Sequence, residues 1–120
     1  MALGKDDRRQ AFPELYAQWK SVPGAVRFPQ GETLHEVMAR VMPAVNDYIA
    51  AGQDTAIFTH RVVVKLLLLG LSGGDVNGFW LAQSCTASIS CLEVRNGSSR
   101  FVFKNQDEHL AVLGLKEADF

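Results

Sequence analysis

The feature that most constrains this chain is the run Arg61 to Leu71, RVVVKLLLLGL, which is apolar around nearly its whole circumference. A helix of that kind has no face to give to water, so the rest of the chain must cover it. Gly70 and the Ser72-Gly73-Gly74 turn stop the run, which favours a buried helix over a second strand. Immediately before it, Ala56-Ile57-Phe58, bounded by Thr55 and Thr59, has the form of a short buried strand.

The flanking segments supply the cover. Asp6 to Lys20 places Phe12, Leu15, Tyr16 and Trp19 at helical spacings, with Pro13 predicting a break or new first turn near Phe12. Ser21 to Gly31 holds Pro23, Gly24, Pro29 and Gly31 and is expected to be a surface loop. Thr33 and Glu36 form a capping-box pattern, and Leu34, Val37, Met38, Val41, Val45, Tyr48 and Ile49 continue a helix to Gly52, with Pro43 predicting a kink. Asp75 to Leu81 is a short helical candidate capped by Asp75 and anchored by Phe79 and Trp80. Ala87 to Val94 alternates as a strand, and Asn96-Gly97 turns it into Arg100 to Lys104, a β-hairpin. The order predicts an α/β or α+β domain with about three strands and three to four helices.

At 120 residues the chain allows one domain. Twelve Lys and Arg against 13 Asp and Glu, a net charge of -1, provide no basic stripe for nucleic acid or an anionic membrane, so neither partner is expected. The apolar run Val62 to Leu71 is interrupted by Lys65 and falls short of the ~20 residues that span a bilayer. Cys85 and Cys91, six residues apart on a segment expected to be extended, would lie about 20 Å from each other, too far for a disulfide. They read as reduced thiols of a cytoplasmic protein.

The most informative chemical signal is Phe58-Thr59-His60-Arg61, an apolar strand that ends on a histidine where a helix begins. Open α/β folds place ligands at such strand ends, and the first turn of the next helix offers unpaired N–H groups to an anion. His60 can donate a hydrogen bond or proton near neutral pH, and Arg61 adds a permanent forked charge. The plainer alternative is a histidine satisfying a backbone carbonyl beside a surface arginine. Glu32, before the Thr33 cap, suits a binding pocket and suits a helix N-terminus equally. Asp107-Glu108-His109 is a poor metal site, because consecutive residues cannot all face one ion. His35 and Arg40 are expected on a solvated helix face. Neither a metal nor a cofactor is expected.

Several landmarks stand in the order of a known family: Phe12-Pro13-Glu14-Leu15-Tyr16 with Trp19, Phe28 to Leu34, Phe58-Thr59-His60, Ala87-Ser88-Ile89, and Asn105 to Leu110. Together they resemble the C-terminal half of the histidine phosphatase superfamily, the phosphoglycerate-mutase-like group that includes broad-specificity and α-ribazole phosphatases. The resemblance implies a partial phosphoglycerate-mutase-like, three-layer α/β fold and phosphoryl transfer through a phosphohistidine. It implies that His60 is the family's second histidine, which contacts the transferring phosphoryl group, and that Glu32, which matches a family glutamate, lies near the pocket; with Thr59 and Arg61, which flank His60, Glu32 is expected to be a substrate-binding position. The family's Arg-His-Gly nucleophile motif does not occur in these 120 residues, and Arg61-Val62 stands where the family usually has two glycines. The expectation is therefore a single incomplete domain over residues 1–120, inactive alone, that retains affinity for phosphate or a phosphorylated small molecule. It would be completed by a homodimer or by a separate N-terminal half. The alternative is a non-catalytic anion-binding module on the same scaffold.

Overall fold

The computed structural model describes residues 10–114. Its elements are α1 (Pro13–Ser21), α2 (Leu34–Ala51), α3 (Arg61–Leu71), β1 (Ile89–Arg95), β2 (Ser98–Gln106) and α4 (Glu108–Val112), with 3-10 turns at Pro23–Ala25 and Val76–Gly78. This is an α/β arrangement in which the strands form one two-stranded antiparallel sheet. It fits a partial phosphoglycerate-mutase-like fold with a smaller sheet than the three strands expected.

Local chemistry accounts for most boundaries. Phe12 leaves helical geometry at φ -136° and Pro13 opens α1, as the proline predicts; the expected helical residues Asp6 to Arg9 lie outside the described residues. In α2 the Thr33 hydroxyl accepts from the Glu36 N–H at 3.1 Å, and the Glu36 carboxylate accepts from the Thr33 N–H at 3.2 Å. Gly52, at φ 71°, ends the helix in the left-handed conformation that glycine adopts without strain. Pro43 does not break α2. It sits on an exposed side, where water can satisfy the carbonyl that its missing N–H leaves unpaired.

The core forms where α3 meets α2 and the turn that follows α3. Leu34, Leu66, Val76 and Phe79 are buried together, with Trp19, Val37, Met38, Val62 and Trp80 packed around them. No residue of α3 is exposed, in keeping with its all-round apolar sequence. Gly70 permits the close approach of α2, since a Cβ there would stand 2.9 Å from Met42 Sδ and 3.1 Å from Met38 Sδ. Trp19, Phe79 and Trp80 meet in mutual edge-to-face and tilted contact, with ring centroids 5.1 to 5.6 Å apart.

The segment Ser21 to Gly31 is pinned rather than lying wholly at the surface. Pro23 and Val26 are buried, and the Gly24 N–H donates to Asn77 Oδ1 at 2.9 Å. The Asp75 cap forms as expected, accepting from the Asn77 N–H at 2.7 Å, although the helix it starts is a single 3-10 turn before Phe79. The hairpin turns at Asn96 and Gly97, at φ 49° and 79°, directly inside the pair Arg95 and Ser98. Cys85 and Cys91 are not joined in a disulfide. Cys85 precedes β1 instead of extending it, because Ala87 at φ 60° turns the chain between them.

The expected buried strand at Thr55 to Thr59 is the principal correction. The segment carries no strand ladder and is exposed throughout, with Ile57 at 46% and Phe58 at 95% of full exposure. A strand exists only through its hydrogen-bonded neighbour, and the strands among the described residues pair with each other.

Candidate functional site

His60 stands at the junction of the exposed segment and α3. It is the N-cap residue of α3 in extended conformation, φ -89° and ψ 157°, and its side chain makes no capping bond. Its carbonyl accepts from the Val64 N–H at 3.0 Å, which begins the helix. The imidazole is thus presented to solvent beside the positive end of α3, next to exposed Thr59 and half-buried Arg61.

Arg61 also forms one wall of a pocket of about 270 Å³, lined by Arg61, Lys65, Trp80, Ala82, Gln83, Ser84 and Asn105. Arg61 and Lys65 are one helical turn apart and therefore share a face of α3. Lys65 is 7% exposed, with its ammonium 4.5 Å from the Phe79 ring centroid and 5.1 Å from that of Trp80. Opposite, the end of β2 is tied to the segment before β1. Asn105 Oδ1 accepts from the Cys85 N–H at 2.6 Å, and the Asn105 N–H donates to Ser90 Oγ at 2.9 Å. Trp80 is set by its indole N–H, which donates to the Trp19 carbonyl at 2.6 Å, and by Lys20 Nζ, 3.7 Å from its ring centroid. Among the described residues the lining carries the side chains of Arg61 and Lys65 beside the polar groups of Gln83, Ser84 and Asn105.

Glu32 is engaged elsewhere. Its carboxylate accepts from Arg40 Nη2 at 2.8 Å and Nε at 3.2 Å, a forked pair across the first turns of α2. That hydrogen bond, reinforced by the opposite charge, raises the Arg40 pKa above its ordinary value. Arg27 pairs in the same way with Glu36 and donates to the Gly31 carbonyl at 3.1 Å. The hydrogen bond from Arg27 is the largest influence holding the Glu36 carboxyl below the usual range, with the Thr33 backbone adding to it. His35 and Arg40 are exposed, as expected for that helix face. His109 Nε2 donates to the Ala87 carbonyl at 2.7 Å, while Asp107 Oδ2 accepts from Cys85 Sγ at 3.7 Å.

Thr59, His60 and Arg61 are therefore together by adjacency, and Glu32 is partnered by Arg40 of the helix it precedes. Sequence reasoning missed Lys65, Trp80 and Asn105. The available signal was a lysine inside an otherwise apolar helix, four residues after Arg61 on the same face.

Comparison with known proteins agrees with the landmarks. A sequence model of the histidine phosphatase superfamily (branch 1) matches residues 2–107. Phosphoserine phosphatase 1 of Hydrogenobacter thermophilus is 25% identical over 103 residues, a stretch that covers 84% of this chain and 49% of that protein. The chain thus spans about half the length of this curated relative. With the family match running through α1, α2, the His60 junction and the hairpin, the chain belongs to the histidine phosphatase superfamily.

Proposed function

We propose that this chain is the C-terminal portion of a phosphatase that hydrolyses small phosphate esters, and that it contributes His60 as the group that contacts the transferring phosphoryl oxygens. The observation that carries this reading is the solvent-facing imidazole of His60 at the positive end of α3. Arg61 and Thr59 would bind the same phosphoryl group, Arg61 through a guanidinium fork suited to phosphate. Glu32 is proposed as a rim residue whose pairing with Arg40 orients the entrance to α2. The name of the relative, a phosphoserine phosphatase, supports a small phosphomonoester as substrate.

The covalent step requires a nucleophilic histidine, and the 120 residues hold no Arg-His-Gly in which the family carries it. We place that motif on a separate N-terminal half or on a partner chain. Exposed Ile57 and Phe58 support this, since they form the apolar segment that a neighbouring strand would cover. The expected setting is cytoplasmic; among the described residues no helix is long and apolar enough to cross a membrane.

The test is hydrolysis of p-nitrophenyl phosphate and phosphoserine by the chain alone and with a polypeptide carrying the Arg-His-Gly segment. Activity is expected only from the combination, with His60→Ala lowering kcat by roughly 10²- to 10³-fold, as loss of a charge-stabilising donor does. Full activity from the chain alone overturns the reading. A second reading, a non-catalytic anion-binding module, is favoured by Arg61 in the position where the family has glycine. Phosphate binding without activity in any combination would select it.

A further inference from the structure

Residues 51–60 are exposed without interruption, and residues 54–60 run with no turn, bend or ladder. His60 is extended at φ -89° and ψ 157°, and no residue from Asp54 to Thr59 has a positive φ. Among the described residues, the backbone of Asp54 to Thr59 forms no hydrogen bond with another backbone group. The segment is therefore a straight edge that lacks only a partner. It also lacks the usual devices against pairing, since Thr55-Ala56-Ile57-Phe58-Thr59 contains no charge, no proline and no glycine. Asp54 and His60 stand at its two ends, both exposed.

That arrangement of end groups selects a second copy of the chain in one orientation. A parallel copy would bring Asp54 to Asp54 and His60 to His60, whereas an antiparallel copy brings Asp54 to His60 at both ends. Symmetry fixes the register as well. Antiparallel ladders alternate hydrogen-bonded and non-hydrogen-bonded pairs, so a two-fold axis can pass only through a residue that faces its own copy. Centred on Ile57, the ladder uses all of residues 54–60, with Asp54 opposite His60, Thr55 opposite Thr59 and Ala56 opposite Phe58. Centred on Ala56 or Phe58 it is shorter and Asp54 loses His60, because Gly52 turns the chain on one side and α3 begins at Arg61 on the other.

We propose that residues 54–60 form a homodimer interface, in which two copies of this chain pair antiparallel about a two-fold axis at Ile57, with Asp54 of each copy facing His60 of the other. One face of the ladder then carries Ile57 against its copy between two threonine pairs, and the other carries Phe58 beside Ala56. A carboxylate of the other copy thus stands beside His60, and self-pairing competes with an N-terminal half for the same segment. The proposal does not rest on the phosphatase function.

The experiment is sedimentation equilibrium of the 120-residue chain near neutral pH, from about 1 to 300 μM. A reversible monomer–dimer equilibrium is expected. Ile57→Lys, which sets two lysines against each other on the axis, should weaken the dimer at least about tenfold. Asp54→Lys should weaken it about tenfold, and combining it with His60→Asp, which restores opposite charges in reversed order, should bring it back within about threefold of wild type. Circular dichroism establishes that each variant is folded, and if Ile57→Lys does not fold, the exposed Asp54 variants decide in its place. Register is read by cysteine trapping. Directly opposed residues lie about 4.5 or 5.5 Å apart at Cα, within reach of a disulfide, so Ile57→Cys should cross-link to its own copy under mild oxidation. Ala56→Cys and Phe58→Cys do not face themselves and should cross-link at least about tenfold more slowly. The wild-type chain, oxidised alike, controls for Cys85 and Cys91.

A chain that stays monomeric through this range overturns the proposal, as does growth beyond the dimer into an open series. Equal cross-linking at Ile57→Cys and Ala56→Cys, or failure of the double variant to recover the loss, overturns the register. A monomeric chain that hydrolyses phosphate esters together with the Arg-His-Gly polypeptide overturns this interface and leaves the phosphatase function standing. A dimer trapped at Ile57→Cys, from a chain inactive in every combination, sustains the interface and removes that function.

Discussion

The indole N–H of Trp80 donates to the carbonyl of Trp19 at 2.6 Å, joining α1 to the segment after α3 across 61 positions of sequence. One hydrogen bond thus closes the aromatic cluster that covers the core and fixes the ring forming a wall of the pocket. Trp80→Phe keeps an aromatic face but removes the donor. It is expected to cost about 1–2 kcal/mol in urea denaturation, from the unpaired Trp19 carbonyl and reduced ring contact. A loss under about 0.3 kcal/mol would show that water replaces the indole without penalty.

Asn105 performs two tasks, a left-handed backbone at φ 54° and a side-chain acceptor for the Cys85 N–H. Substitution separates them. Glycine tolerates the backbone and loses the acceptor, whereas alanine loses the acceptor and strains the backbone as well. Stability should fall in the order Asn105, Asn105→Gly, Asn105→Ala, with about 1 kcal/mol between the two variants. Equal stability of the variants in denaturant melts would show that the segment relaxes to negative φ.

The start of α2 depends on pH through Glu36. Its carboxyl titrates below the usual range in the folded chain, chiefly because Arg27 donates to it, so its folded pKa is lower than its unfolded one. That contribution is complete above the unfolded carboxylate range and is lost as pH falls through the folded value. Thermal melts from pH 6 downward should show Glu36→Gln losing less stability than wild type on acidification. Since both partners are exposed, added salt should narrow the difference.

Thr33→Ala removes the other half of that box, the hydroxyl that accepts from the Glu36 N–H. About 1 kcal/mol of stability should be lost, and Thr33→Ser should recover most of it. Helix content by circular dichroism, read with the denaturation midpoint, checks both.

Phe58, at 95% exposure, contributes almost nothing to the fold of the described chain. Phe58→Asp should change stability by less than about 0.5 kcal/mol while reducing self-association or capture of an N-terminal half in sedimentation. Unchanged sedimentation would remove this segment from the proposed assembly surface.

Residues that act on near neighbours were readable before any fold was known. The capping box of Thr33 and Glu36, the break at Pro13, the Asn96-Gly97 turn and the helix Arg61 to Leu71, none of whose residues is exposed, each depend on groups within a few positions, and each stands as read. The position of His60 at a helix start belongs with them. Tertiary structure decided the rest. Ala56-Ile57-Phe58 has the composition of a buried strand, yet a strand is a relation between two segments and no described segment pairs with it. Lys65 broke an apolar run in the sequence. Only packing against Phe79 and Trp80, with Asn105 brought in from the end of β2, makes it a wall of a pocket. The sequence by itself therefore determined the local elements and the family, because caps, turns and periodicity are short-range physics. The pocket and the bare segment before His60 follow from contacts between distant parts of the chain, which only the folded structure assembles.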